Sequence, residues 1–331
     1  MLTKLFNSNS ISSLAILIIL AIVLWSKIVI NVIPLYGIIP VSPLYKFVYT
    51  LLHDYKIIIA FITIALLITE ALLLNHMLSK NDLIPKNSYL GAYIFIIISS
   101  LFSDIILLNP VLIINIFIIT AIGMFLPVYE KHEAYATVFN IGTIISVASM
   151  FYFPSFILIV LIWVGFIIFR IFSWREWFIS ILGLILPYIF LGTFYFWNDC
   201  FESKLESYKN ALSLISFHDF HLSLYVIIIV SFLGIILLLS LFKIIVTIGE
   251  KQIRIRKYLS FIIWFFLISC IAILPSAKYS ILSYIMIIPS ASILITLYLS
   301  NTKKQLWAEG ILISLALLLI AGRFGLFSLW A

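Results

Sequence analysis

Long apolar runs, each close to the length that crosses a hydrocarbon core, alternate with short polar or proline-containing breaks along nearly the whole chain. A helix rising 1.5 Å per residue needs about 20 residues to cross. The pattern predicts eleven spans, at about Ile11–Ile33, Ile57–Leu74, Ser88–Leu108, Pro110–Tyr129, Ala134–Met150, Ser155–Phe172, Phe178–Trp197, Ser223–Val246, Leu259–Leu274, Ser280–Leu299 and Leu306–Leu326. Phe151-Tyr152-Phe153-Pro154 turns the chain between the fifth and sixth. Two further segments carry one-sided helical spacing. Ser42-Pro43 is a helix start, a capping hydroxyl before proline, and Leu44, Phe47, Val48 and Leu51 follow on one face. In the longest later loop, Leu205, Tyr208, Leu212 and Ile215 keep an i, i+3, i+7, i+10 spacing. Both read as amphipathic helices lying in the membrane interface. The expected fold is all-α: a polytopic membrane helical bundle forming a single domain over residues 1–331.

The fifth span differs from the rest. Thr137, Asn140, Thr143, Ser146 and Ser149 recur every third residue, with Gly142 beside them. Such a helix facing lipid would leave polar groups unpaired, whereas small and hydroxylated residues suit close helix contact. The expectation is a central helix surrounded by protein, and Ile159 in the next span stands as its lipid-facing counterpart.

Composition removes the soluble alternatives. Of 331 residues, 64% are hydrophobic and 10% charged, against about 25% charged in soluble domains. Mean hydropathy is +1.25, and no polar stretch is long enough to fold by itself. The net charge of +7 does not imply nucleic acid, because the basic residues sit in short loops between apolar runs, where they set orientation. With the N-terminus inside, thirteen Lys and Arg fall in the cytoplasm and seven outside. The densest block, Lys251-Gln252-Ile253-Arg254-Ile255-Arg256-Lys257, lies in a short inner loop, where it fixes topology and suits anionic lipid. Both interfacial helices then face outward. The run from Ile11 lacks a cleavage site of small residues and reads as a retained first helix. Cys200 and Cys270 form no metal motif; both fall near the outer face, where a bridge between them is open.

Phe139-Asn140-Ile141-Gly142, Ala148-Ser149-Met150-Phe151-Tyr152-Phe153-Pro154 and Phe172-Ser173-Trp174-Arg175-Glu176-Trp177 resemble an uncharacterised family of multispanning inner-membrane proteins from Bacteroidota. The resemblance covers about residues 135–190 and implies an inner-membrane location and no activity. Some members of that family carry a carotenoid-oxygenase label. Such an enzyme gathers histidines around iron, whereas here His76 and His132 fall inside and His53, His218 and His221 outside.

Candidate chemistry concentrates at the outer face. Asp54 follows the first amphipathic helix, Asp104 interrupts the end of the third span, and Asp199, Asp219 and the loop histidines lie nearby in the topology. Lys278 and Arg323 sit at outer span ends. These groups suggest an enzyme acting on a lipid-linked, polyprenyl-phosphate substrate, in outline like glycosyltransferases that carry interfacial helices in outer loops. Asp54 and Asp104 would be catalytic, while Lys278, Arg323 and His53 would bind substrate. Solvated surface is the plainer explanation for Asp54 and Lys278, and headgroup snorkelling for Asp104 and Arg323. His218-Asp219-Phe220-His221 lacks a third metal ligand at defined spacing. Glu70, near the inner end of the second span beside Asn75 and His76, suits a proton-coupled transporter, or else a snorkelling or hydrogen-bonded structural carboxyl. The alternative to an enzyme is thus a transporter or a non-catalytic membrane subunit. No motif implies a cofactor, and membrane lipid is the expected partner.

Overall fold

A computed structural model describes residues 11–30, 42–101, 108–131, 133–206, 224–272, 285–302 and 305–323. Among these residues the chain is all-helical, with twelve α-helices and short 3-10 turns. They are α1 (Ile11–Ile30), α2 (Pro43–Leu52), α3 (Lys56–Lys80), α4 (Leu90–Leu101), α5 (Pro110–Phe125) and α6 (Tyr135–Phe151), then α7 (Ile159–Phe169), α8 (Trp174–Trp197), α9 (Leu224–Thr247), α10 (Ile253–Ile271), α11 (Ile288–Ser300) and α12 (Gln305–Arg323). Four helical stretches, Lys56–Lys80, Pro110–Glu130, Trp174–Trp197 and Val226–Glu250, are long and apolar enough to cross a membrane. Along α8 and α9, Phe178, Phe190, Phe194, Leu238, Phe242 and Val246 point outward. A continuous apolar face of this kind does not suit water.

Helix limits follow local chemistry. Asn109 caps α5 by accepting from the Leu112 N–H at 2.7 Å, ahead of Pro110 at the first helical position. α7 closes at Arg170, whose φ of 61° is left-handed; Ile171 N–H returns to the Phe166 carbonyl at 2.9 Å, completing a Schellman-type end. α3 ends likewise at Asp82, φ 56°, with Leu83 N–H on the Leu78 carbonyl at 3.0 Å. The first amphipathic helix forms as expected, but it turns Tyr45 inward, with its hydroxyl donating to the Leu108 carbonyl at 2.9 Å. Phe47 and Leu51 of its apolar face stay exposed. For the second amphipathic segment, 201–206 is helical; Tyr208, Leu212 and Ile215 lie outside the described residues.

The centre of the bundle is not the polar-striped helix. All twelve residues of α4 are buried, as are twelve of the thirteen in α11. α4 packs against α1, α3, α11 and α12. The striped α6 packs on α8 and α5, leaving Asn140 exposed while Ser146 and Ser149 are buried. Two of the stripe's four hydroxyls bond their own helix, Thr143 donating to the Asn140 carbonyl at 2.7 Å and Ser149 to that of Ser146 at 2.6 Å. Thr137 accepts from the Lys131 ammonium at 2.8 Å, and the buried Ser146 hydroxyl has no partner. Back-bonding of this kind satisfies a hydroxyl without a neighbouring helix, so a polar stripe does not require protein on every side. Ile159 is buried, not lipid-facing.

Gly142 makes the close contact expected of it. A Cβ there would stand 2.6 Å from the Ser180 carbonyl oxygen and 3.2 Å from the Leu184 nitrogen. Gly183 on α8 reciprocates, its position pressed against the Phe139 backbone. The two glycines let α6 and α8 touch backbone to backbone. On the far side of α5, Phe125, Phe166, Phe169 and Phe261 form an aromatic cluster, with Phe125 and Phe261 centroids 4.8 Å apart. Gly165 seats the Phe125 ring and so ties α7 to α5.

Candidate functional site

α3 runs six residues beyond Leu74, and this extension relocates Glu70. Ten residues now separate it from Lys80, about 15 Å along the axis, and fourteen from Lys56. Glu70 is therefore near the middle of the helix and 0% exposed. It does not snorkel. Asn115 of α5, 1% exposed, is the polar side chain that faces the carboxyl, but the two stand outside good hydrogen-bond geometry. Both Glu70 oxygens and both polar atoms of Asn115 consequently lack a partner. The other expected neighbours are engaged elsewhere. Asn75 donates to the Ser88 carbonyl at 2.9 Å, pinning α3 to the start of α4, and His76 lies on the exposed face.

Native interiors rarely leave buried polar groups unpaired, and an orphan of this kind calls for an explanation. Here four orphan atoms from two helices face one another. The pairing is also chemically matched, because an amide offers a donor to a carboxylate and an acceptor to a carboxylic acid.

At the end of the bundle where α3 begins, the sequence-predicted site residues do not form a pocket among the described residues. Asp54 and His53 are exposed and pair with each other, Nε2 to Oδ1 3.1 Å, with Tyr49 stacked on the imidazole at 5.7 Å. Asp104, Lys278, Asp219, His218 and His221 lie outside the described residues. Arg323 is the last residue of α12, and its side chain is likewise outside them. Cys200 and Cys270 are both free thiols. What this end does hold is an aromatic groove of about 260 Å³ lined by Phe153, Tyr188, Tyr195, Phe201, Leu205 and Lys204. Ser149 and Tyr188 hydroxyls meet beside it at 2.7 Å.

The opposite end gathers the basic residues. Arg254 reaches two carboxylates from distant loops, Asp82 at 2.7 Å and Glu130 at 3.0 Å. Tyr258 donates to the same Glu130 oxygen at 3.2 Å, and Lys257 lies over the Tyr129 ring at 4.5 Å. Lys243 donates to the Asn301 carbonyl at 3.1 Å and the Thr302 hydroxyl at 2.8 Å. These bonds join the segments following α3, α5, α9 and α11 at one end, which the basic-residue count had grouped together. At the start of α8, Glu176 is buried with one oxygen unpartnered while Arg175 is exposed.

Sequence reasoning missed two things here. Asp82 and Glu130 lie 172 and 124 residues from Arg254, and no local signal links them. Asn115 sits alone in an apolar run with nothing to mark it as the neighbour of Glu70. Among the described residues, no three His, Cys, Asp or Glu side chains gather to hold a metal. Comparison of the chain with protein-family models, curated proteins and solved structures yields no match to any of them.

Proposed function

We propose that the chain is a multi-pass inner-membrane protein of about eleven spans with a cytoplasmic N-terminus, and that it works as a proton-coupled carrier or the membrane subunit of one. The observation that carries this reading is the Glu70 carboxyl, fully buried near the middle of its helix and without a bonded partner. Ionisable groups at membrane depth are costly and mark ion or proton pathways. Glu70 is the proton-bearing group, and Asn115 is the partner that bonds it in either protonation state as the helices shift. The orientation rests on the basic end being cytoplasmic, and the resemblance to the Bacteroidota family supports the inner membrane.

One observation favours an enzyme acting at the outer face. The aromatic groove beside Tyr188, with Lys204 on its lining, has the character that a prenyl chain ending in phosphate would need. In that reading Asp54 is the general base and Asp104 positions the acceptor, while Lys278, Arg323 and His53 hold the substrate.

A deletion strain complemented by variants separates the two. Glu70→Gln is expected to abolish complementation at wild-type membrane abundance, with Asp54→Asn, Asp104→Asn complementing fully. The reverse outcome transfers the function to the outer carboxylates, where loss of a positioned proton acceptor costs roughly 100- to 10,000-fold.

A further inference from the structure

Beside the Arg254 network, a cleft of about 430 Å³ opens between the segment after α3, the start of α10 and the end of α11. Its lining divides into two halves. Ile84, Ile255, Leu259 and Leu297 make an apolar wall, while Asp82, Lys86, Lys251, Ser300 and Asn301 make a polar one. The charge is not balanced. Asp82 is taken by Arg254 at 2.7 Å and reached by Lys86 at 3.8 Å, and Glu130 is taken by Arg254 and Tyr258. Lys251 touches only the Asn301 amide oxygen, at 3.4 Å, and neighbouring Lys243 bonds neutral oxygens of Asn301 and Thr302. Four cations therefore face two carboxylates, and the two lysines that converge on Asn301 have no acidic partner. Glu250, the next acidic residue, is exposed.

We propose that this cleft binds the phosphate headgroup and upper acyl chain of an anionic phospholipid. Lys251 and Lys86 hold the phosphate, with the Asn301 amide as a further donor, and the chain lies along Leu259, Ile255 and Leu297. A free phosphate would use the polar half alone and leave the apolar wall without a role. A zwitterionic lipid would fill the wall but gain little from the excess charge. Such a lipid would also brace α3, α10 and α11 at the end where Arg254 already joins them.

The test uses the full-length protein, purified in a neutral detergent, with thermal midpoint and native mass spectrometry as readouts. Phosphatidylglycerol is expected to raise the midpoint and remain bound, whereas phosphatidylcholine and inorganic phosphate at the same concentrations do not. Lys86→Gln, Lys251→Gln should weaken phosphatidylglycerol about 30-fold, the loss of two basic residues at an anionic headgroup. The corresponding double Arg variant should retain it. Asn301→Asp gives Lys251 a carboxylate and should weaken binding. Because it also gives up the Asn301 Nδ2 bond to the Leu297 carbonyl at 2.9 Å, its lipid-free thermal midpoint is the reference for its lipid response. Lys46→Gln, exposed on α2 at the other end of the bundle, should bind like wild type. Equal stabilisation by phosphatidylcholine, saturation by inorganic phosphate alone, or wild-type affinity in both the double Gln and Asn301→Asp variants overturns the proposal.

Discussion

Gly142→Leu is expected to remove most of the folded protein from the membrane, while Gly234→Leu is expected to leave its level unchanged. A Cβ at Gly142 meets the Ser180 carbonyl oxygen at 2.6 Å, closer than any backbone can allow, whereas nothing lies within 4 Å of a Cβ at Gly234. The obstacle is main chain on α8, so no rotamer change relieves it. α6 and α8 must separate, and the reciprocal contact at Gly183 is lost with them. Overpacking ordinarily costs about 1–3 kcal/mol, and a backbone-to-backbone crossing places this case at or above the upper end. Gly183→Leu should behave the same way. The yield of monodisperse protein, followed by size exclusion of a fluorescent fusion, measures all three. A wild-type level for Gly142→Leu would mean that the two helices do not cross there.

Glu70→Met with Asn115→Leu should make the protein more stable and inactive. Both replacements nearly conserve shape, and both remove polar atoms that have no partner in the bundle. Leaving a buried polar group unsatisfied costs roughly 1–3 kcal/mol, so removing the pair should raise the thermal midpoint measurably. Activity should vanish in the same variant, because the strain at the pair is the functional feature. A lower midpoint would identify the pair as structural glue.

Much of the helical framework was legible from local rules. Asn109-Pro110 starts a helix with the side-chain cap that its chemistry offers, and Pro43 starts another although the Ser42 hydroxyl makes no capping bond. The spacing of basic loops grouped the residues that now surround Arg254. Gly142 was identified as a contact residue because only a missing side chain permits close approach. Facing was harder to read. α7 is apolar on all sides, so its pattern carried no information about which face is buried, and Ile159 was assigned to lipid. The stripe on α6 misled for the opposite reason, since hydroxyls that bond their own helix need no neighbour. Glu70 was misplaced in depth because Asn75, His76 and Ser79 look like a loop, yet α3 continues through them to Lys80. Its partner Asn115, 45 positions away on α5, could be found only from tertiary packing.

The protonation of Glu70 tests the central claim most directly. Infrared difference spectra of the reconstituted protein, recorded as pH is stepped, report carboxyl groups that gain or lose a proton. The account predicts a carboxyl band that titrates, disappears in Glu70→Gln and shifts in Asn115→Leu, where the facing amide has gone. Spectra in which no titrating band changes on Glu70→Gln would contradict it, leaving Glu70 a silent buried carboxyl and the carrier reading without its proton site.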